Sequence, residues 1–300
     1  MKRMTLPAAI LLFCGAVTAP GQSTRPKILG ISAVRLYSTN IAGARDFYSK
    51  TLDPAGPCNW CEEVPHSSLP MLLNAEQFAV VARAPVPAPS NLLAEITFST
   101  DAIGAMKRFL TANKIAFAAP KESGEGPITL TDPEGHKIAF SHYWRVSVKS
   151  PLSGSTLRLI HAGFIVHDRA ATEHFYKDIL GFRPYWHGGM KDNQTDWVSM
   201  QVPDGTDWLE FMVNVSPDAD QHLRGIMNHI AIGVSDILAT EQRLRDAGLK
   251  LTEEPQIGRD GKWQLNVYDP DDTRVEFMEF KPVQKPCCSE FTAPHPGPKQ

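Results

Sequence analysis

The sequence predicts an α+β fold made of four βαβββ units, each with one strand, one helix and about three further strands. Three observations lead to this prediction. The second half of the chain repeats itself at an interval of 68 residues, weaker copies of the same pattern occupy the first half, and two His-then-Glu pairs recur with the repeat. An internal repeat of this length sets the architecture before single residues are interpreted.

The clearest repeat starts at His161 and starts again at His229. After each histidine, an apolar strand leads into a polar helix cap and an amphipathic helix. The residues that recur in the two copies are the pairs Val166 and Val234, Asp168 and Asp236, Ala171 and Ala239, Thr172 and Thr240, Glu173 and Glu241, and Asp178 and Asp246. We therefore predict two units of one design in the second half.

The first half carries two weaker copies of this unit, which share an aromatic pair and an Asp-Pro turn with the second half. The aromatic pairs are Phe47-Tyr48 and Phe175-Tyr176, and the turns are Asp132-Pro133 and Asp269-Pro270. We predict two domains, over residues 28–148 and 157–281, each formed by a pair of units. A proline-rich tail over residues 282–300 follows them, and we expect it to be extended.

The two His-then-Glu pairs predict a metal site in the second domain. His161 precedes Glu210 by 49 residues, and His229 precedes Glu276 by 47 residues. Each of these residues lies in an apolar run with the character of a strand, where a buried carboxylate is costly unless it is paired or bound to a metal. Two imidazoles and two carboxylates suit a divalent cation. We predict that His161, Glu210, His229 and Glu276 bind one such ion.

Strand alternation gives each histidine a face of mostly small residues. His161 shares its face with Gly163 and Ile165, and His229 shares its face with Ala231 and Gly233. Larger apolar residues point the other way and suit packing under a helix. Small neighbours leave room for a cavity beside the two imidazoles.

The corresponding positions of the first half lack these ligands. Ala33, Ala94 and Ala139 take the places of His161, His229 and Glu276, and the partner of Glu210 falls within residues 78–80. Joint loss is expected if the four residues act together, so we predict a first domain that does not hold this metal. The alternative, that polar residues are scattered along the strands, does not explain why gains and losses come in sets.

These motifs resemble the vicinal oxygen chelate (VOC) superfamily, which includes glyoxalase I, methylmalonyl-CoA epimerase, extradiol dioxygenases and bleomycin-resistance proteins. The segments that carry the resemblance are 161–166, Leu180-Gly181-Phe182, 229–232 and 269–276. The resemblance implies paired βαβββ units whose mixed sheets curl into cups with helices outside. It also implies that one metal is held by the first and last strands of each unit.

Within that superfamily, the order His, Glu, His, Glu is most similar to glyoxalase I. This resemblance implies a metal-dependent lyase or isomerase that acts on a small-molecule substrate with vicinal oxygens through a metal-stabilised enolate. Glu210 or Glu276 would then act catalytically by moving a proton. The ion would be Ni, Zn, Mn, Co or Fe.

Two other functions remain open at this point. An Fe(II) extradiol-type dioxygenase would use the set of His161, His229 and Glu276. Such enzymes carry a tyrosine four residues before the proline of their last turn, and here that place is held by Asn266, which counts against this chemistry. The third possibility is a non-catalytic protein that binds a small molecule in an emptied cup.

Composition and charge limit the partners. Hydrophobic residues make up 42% of the chain and charged residues 21%, which is typical of a globular protein. The formal net charge of −3 argues against a broad surface for nucleic acid or for an anionic membrane. We therefore expect a small-molecule substrate and no nucleic-acid partner.

The N-terminus is typical of a secretory signal. Lys2 and Arg3 precede an apolar stretch over residues 6–17, and small residues follow at Ala19 and Gly21. We predict a signal peptide over residues 1–21, export to the periplasm or the exterior if the source is bacterial, and no stable membrane insertion after its removal. An uncleaved anchor is the alternative.

Four cysteines remain after the predicted signal, at Cys58, Cys61, Cys287 and Cys288. Because an exported protein meets an oxidising compartment, we expect disulfides among them. A zinc site formed by all four is the alternative.

Overall fold

The computed structural model describes residues 24–52, 68–120, 126–142 and 157–298. These residues form two curled mixed β-sheets, one from each half of the chain, with a small number of short helices. The predicted α+β class with paired units is confirmed. The predicted signal peptide over residues 1–21 lies outside the described residues, and none of the described helices has the length and apolar character needed to cross a membrane.

The first half forms a six-stranded sheet in the order β2-β3-β1-β4-β6-β5. Its elements are β1 (Ile28–Ser38), α1 (Ile41–Thr51), β2 (Ser68–Asn74), β3 (Gln77–Arg83), β4 (Leu93–Thr100), α2 (Ile103–Ala112), β5 (Ile128–Thr131) and β6 (Lys137–His142). Two strands follow each helix within the described residues of this half, whereas about three are predicted. Residues 53–67 and 121–125 are not among the described residues.

The second half forms an eight-stranded sheet in the order β12-β13-β14-β11-β7-β10-β9-β8. Its third unit comprises β7 (Arg158–Ile165), α3 (Arg169–Glu173) with a π-helical extension (His174–Ile179), β8 (Arg183–Gly188), β9 (Trp197–Gln201) and β10 (Trp208–Met212). The short helix α4 (Gln221–Met227) leads to the fourth unit, which comprises β11 (His229–Val234), α5 (Ile237–Asp246), β12 (Gln256–Ile257), β13 (Trp263–Tyr268) and β14 (Arg274–Glu279). Each unit thus has the predicted one strand, one helix and three strands.

Polar side chains start the helices at the predicted caps. The carboxylate of Asp168 accepts a hydrogen bond from the Ala171 N–H at 3.0 Å, and that of Asp236 accepts one from the Ala239 N–H at 2.9 Å. Each satisfies a backbone donor that the first turn leaves free. The recurrence of Asp at these two positions therefore has the same local cause in both units.

The two halves share one apolar core. Buried residues of both sheets form a continuous cluster, and the Phe98 and Phe182 rings meet edge to face at 5.5 Å between centroids. Gln77 joins the sheets through its buried amide. Its Nε2 donates to the carbonyls of Ile31 and Leu159 at 2.7 and 2.8 Å, and its Oε1 accepts from the Leu159 N–H at 3.0 Å.

The repeated tyrosines and aspartates bond to each other across the halves. The Tyr48 hydroxyl on α1 donates to Asp269 Oδ2 in the fourth unit at 3.0 Å. The Tyr176 hydroxyl in the third unit donates to Asp132 Oδ2 in the second unit at the same distance. All four side chains are buried. Two related contacts therefore tie the first unit to the fourth and the second to the third.

We predict that Tyr48→Phe and Tyr176→Phe each lower the free energy of unfolding by about 1–2 kcal/mol, because each leaves a buried carboxylate without one donor. Urea denaturation measures the change. Tyr37→Phe is the matched control, since the Tyr37 hydroxyl makes no hydrogen bond within the described part of the chain. Equal stabilities of the three variants would contradict the role of the tyrosine contacts.

Asp269 makes stability depend on pH. Burial raises its pKa from 3.8 to about 6, although the N–H groups of Thr273 and Asp271 and the Tyr48 hydroxyl favour its ionised form. The folded state therefore holds a proton that the unfolded state releases between about pH 4 and pH 6, so the contribution of this group to stability falls as pH rises through that window.

We expect Asp269→Asn to gain stability relative to the wild type as pH rises from about 4 to about 6, by roughly 3 kcal/mol over the window. Urea denaturation at several pH values measures this difference. A difference that does not vary with pH would show that the ionisation of Asp269 is not perturbed by folding.

Candidate metal centre

The four predicted ligands lie on the four central strands of the second sheet. In spatial order they are Glu276 on β14, His229 on β11, His161 on β7 and Glu210 on β10. Both imidazoles are fully buried, and the glutamate side chains are 4% exposed at Glu276 and 13% at Glu210. The predicted residues are therefore brought together rather than spread over the sheet.

The strand register explains the convergence. In each of two cross-strand rows, one small residue lies between a histidine and a glutamate on the neighbouring strands. The rows are His229, Gly163 and Glu210, and Glu276, Ala231 and His161. Because each small residue leaves its space free, the larger side chains on either side can lean toward the middle.

The distances suit a single cation. The Nε2 atoms of His161 and His229 are 3.0 Å apart. Glu210 Oε2 lies 3.9 Å from the first and 3.5 Å from the second, and Glu276 Oε2 lies 3.5 and 3.6 Å from them. Two ligand atoms bound about 2.1 Å from one ion lie about 3.0 Å apart at a right angle and about 4.2 Å apart when opposite. All five separations fall within that range. The donor atoms of His161, Glu210 and His229 all lie within 4.8 Å of one another, so these three fit one divalent ion, and Glu276 approaches the same two imidazoles.

One hydrogen bond orients a histidine for this role. Nδ1 of His229 lies 3.0 Å from the Met227 carbonyl, which accepts only from a protonated nitrogen. This assigns the proton to Nδ1 and leaves the lone pair of Nε2 facing the glutamates, as in many metal sites. His161 differs, because its buried Nδ1 has no partner among the described residues and its ring packs on Trp208 at 4.7 Å.

Arg274 sets the charge state of the site. Its Nη2 donates to His229 Nε2 at 2.9 Å and lies 4.0 Å from Glu276 Oε2. Burial and then the charge of Arg274 lower the pKa of His229 to about 4. Burial alone would raise the pKa of Glu276, but Arg274 and the two imidazoles hold it at about 2. A neutral imidazole and an ionised carboxylate are the forms that bind metal, and an incoming ion would displace the Arg274 hydrogen bond.

A cavity of about 370 Å³ opens above the four residues. Trp186 and Trp197 line it. Among the lining residues that the sequence analysis does not single out are Trp208, Asp260, Lys262 and Arg274. The sequence does carry a signal for Trp208 and Arg274. Each lies two residues before a predicted ligand, so strand alternation places it on the same face as that ligand.

Asn266 stands on β13 opposite Glu276, where an extradiol dioxygenase is expected to carry its tyrosine. Its side-chain amide donates to Glu253 at 3.0 Å. The nearby Tyr268 hydroxyl also donates to Glu253 and does not line the cavity. The second-sheet cup therefore lacks a phenol at this position.

Cys287 and Cys288 form a disulfide with each other. Cys58 and Cys61 lie outside the described residues, so their pairing is not described. The tail that holds Cys287 has neither helix nor strand, and it packs against the second sheet through hydrogen bonds from the Cys287 N–H to the Arg259 carbonyl and from the Trp186 indole to the Cys287 carbonyl.

Comparisons with known proteins agree with this fold. Residues 158–277 match the family model of the Glyoxalase/Bleomycin resistance protein/Dioxygenase superfamily. Lactoylglutathione lyase of Haemophilus influenzae (strain ATCC 51907 / DSM 11121 / KW20 / Rd) is 29% identical over 127 residues, which are 42% of this chain and 94% of that protein. The fold is that of a protein of paired βαβββ units. Its second half carries the match to the glyoxalase, bleomycin-resistance and dioxygenase superfamily.

Solved structures extend the likeness to both halves. Homoprotocatechuate 2,3-dioxygenase from Brevibacterium fuscum, in complex with 3,4-dihydroxyphenylacetate, superposes with a TM-score of 0.61 at 18% identity and covers 91% of this chain and 84% of its own. The enzyme of the same name from Arthrobacter globiformis gives 0.61 at 17% identity, covering 87% and 82%. At such identities these matches establish the fold alone.

We predict that Gly163→Ala weakens metal binding by about tenfold or more, because it disturbs the placement of a ligand. A Cβ atom at position 163 would overlap the imidazole ring of His229. Titration with Zn²⁺ followed by calorimetry measures the affinity. Gly104→Ala on the exposed side of α2 is the control, since a Cβ there meets only the end of Arg108 at 3.8 Å. Unchanged affinity in Gly163→Ala would show that His229 is not a ligand.

Proposed function

We propose that this protein is a metal-dependent lyase or isomerase of the glyoxalase I type, which moves a proton within a small substrate that carries vicinal oxygens. The observation that carries this proposal is the second glutamate. Glu210 and Glu276 approach the same pair of Nε2 atoms within 3.9 Å, which gives two carboxylates where a two-His-one-carboxylate site has one.

His161, Glu210, His229 and Glu276 would hold the ion. When bound, a divalent ion supplies Lewis-acid polarisation to substrate oxygens. The four residues leave the cavity side of the site open, because the histidines lie at the floor and only the glutamates line the cavity.

The two glutamates have different surroundings and therefore different proposed roles. Glu276 is the more buried, and Arg274 lies beside it, so it suits a permanent ligand. Glu210 is more exposed to the cavity and has no hydrogen bond from an arginine within the described residues. We assign proton transfer at the substrate carbon to Glu210 Oε2, with Glu276 as an anchoring ligand.

The walls of the cavity would exclude water from this proton transfer. Trp186, Trp197, Trp208 and Phe291 surround its polar floor with aromatic surface. An apolar wall strengthens the electrostatic contacts at the floor and protects a reactive substrate carbanion from solvent.

Export remains part of the proposal. If residues 1–21 are removed as a signal, the enzyme works where glutathione is scarce, because glutathione is a buffer of the cytosol. We therefore propose a small substrate with vicinal oxygens that is not restricted to a glutathione adduct.

An iron(II) dioxygenase is the second candidate, since His161, His229 and Glu276 alone form the two-His-one-carboxylate set. Asn266 in place of a tyrosine weighs against it. A protein that binds a small molecule without chemistry is the third candidate, and normal ligand binding by metal-free protein would support it.

We predict that the purified protein binds one divalent ion per chain and that this ion is required for proton exchange. His229→Ala and Glu276→Gln should lower the metal content and abolish exchange of carbon-bound protons of dihydroxyacetone in D₂O, followed by NMR. His174→Ala is the control, because the His174 side chain is 67% exposed and its one ion pair within the described residues is with Asp178.

Oxygen uptake by the iron(II)-loaded protein with catechol is measured in parallel. Uptake without proton exchange would replace the proposed lyase or isomerase by a dioxygenase. Full metal content in both His229→Ala and Glu276→Gln would exclude this site altogether.

A further inference from the structure

Lys262 is a buried cation in the metal cup that the proposed proton transfer does not use. It lies in the loop between β12 and β13, its side chain is fully buried, and it lines the same cavity as Glu210 and Glu276. Lysine is rarely buried to this extent without a partner of opposite charge.

The ammonium of Lys262 has no hydrogen-bond partner among the described residues. The nearest carboxylate oxygen in an ion pair is Asp260 Oδ2 at 3.8 Å, which is beyond hydrogen-bond distance. Aromatic faces surround the charge instead, with Nζ 4.5 Å from the ring centre of Trp208, 4.9 Å from Phe291 and 5.4 Å from Tyr185. These faces stabilise a cation but leave its three N–H donors available.

The backbone fixes the direction of this side chain. Gly258 N–H donates to the Lys262 carbonyl at 2.8 Å, and the Lys262 N–H donates to Asp260 Oδ1 at 3.1 Å. Gly261 adopts a φ of 80°, and a Cβ atom there would overlap the carbonyl of Gln284 in the tail. Loop and tail therefore hold the lysine in place, and its aim into the cavity is a built feature of the fold.

The charges of the cup favour an anionic ligand once a metal is bound. A divalent ion would balance Glu210 and Glu276. Of the three cations that line the cavity, Arg259 pairs with Asp192, and Asp260 would balance either Lys262 or Arg274. One positive charge then remains in a cavity with aromatic walls. A low-dielectric wall makes such an unbalanced charge costly unless a ligand neutralises it.

We propose that Lys262 binds the carboxylate of the substrate, so that the cup takes a small organic acid whose vicinal oxygens lie at the metal site and whose carboxylate lies beside Trp208. This inference rests on the proposed metal-dependent function and names its substrate class. A carboxylate fits better than a phosphate dianion, because a single ammonium 3.8 Å from Asp260 offers little charge for two negative charges. Trp208 stands between the two ends of the site, with its ring 4.7 Å from His161 and 4.5 Å from Lys262 Nζ.

Binding of a matched pair of probes tests the proposal. Catechol and 3,4-dihydroxybenzoate share the vicinal oxygens and differ by one carboxylate. Zn²⁺ is used as the ion because it has no redox chemistry. Calorimetry with the full chain measures first the affinity for Zn²⁺ and then the affinity for each probe, with and without the ion.

We expect the wild type to prefer the acid, and Lys262→Met to lose the acid by about 30-fold while its catechol and Zn²⁺ affinities stay within about twofold. Methionine keeps the length of the side chain among the aromatic rings. The double variant with Asp260→Asn covers the case in which an unpaired Asp260 harms folding. Lys285→Met is the matched control, since Lys285 is 82% exposed and pairs with Glu290.

The outcomes separate the two proposals. Equal loss of both probes, or no preference for the acid in the wild type, would overturn the role of Lys262 and leave the metal site standing. Failure of the wild type to bind Zn²⁺ would overturn the proposed function, and with it the charge balance on which the role of Lys262 rests.

Discussion

The cost of burying two carboxylates and two imidazoles side by side governs the second half of this protein. Unpaired charges at the centre of a sheet are strongly unfavourable, and here they are held together by register, by Arg274 and by the small residues Gly163 and Ala231. A fold that buried these groups without a compensating interaction would be unstable. The arrangement is therefore best understood as a site prepared for a cation that offsets it, with the surrounding core supplying the rigidity that keeps the four side chains convergent.

The two halves contribute different features to the structure. The second half holds the donor set and the cavity, whereas the first half supplies the other part of a continuous core and the hydrogen bond that reaches Asp269. The likeness to solved dioxygenase structures extends over 91% of this chain in one case, so the paired arrangement is a property of the fold. Chemistry in such a fold is decided by the residues of the cup.

Much of this was predictable from sequence because the repeat carries it. The two histidines and the helix caps recur at an interval of 68 residues and the two glutamates at an interval of 66, and alternation along the strands places the small neighbours Gly163 and Ala231 beside them. Lys262 was not predictable, because Asp260-Gly261-Lys262 has the pattern of an exposed polar turn and only the tail and three aromatic rings bury it. The pairing of Tyr48 with Asp269 was also out of reach, since a repeat shows that two residues correspond but not which units touch.

The crossed contacts of Tyr48 and Tyr176 have a consequence for how such a duplicated chain can change over time. The first half lacks the four candidate ligands at the corresponding positions, but its Tyr48 still donates to Asp269 in the second half, and its Asp132 accepts from Tyr176 in return. Substitutions in the interior of the first half are therefore less constrained than substitutions of the polar residues that contact the second half. Removal of the first half would expose the apolar surface that the second half buries against it, which favours retention of both halves.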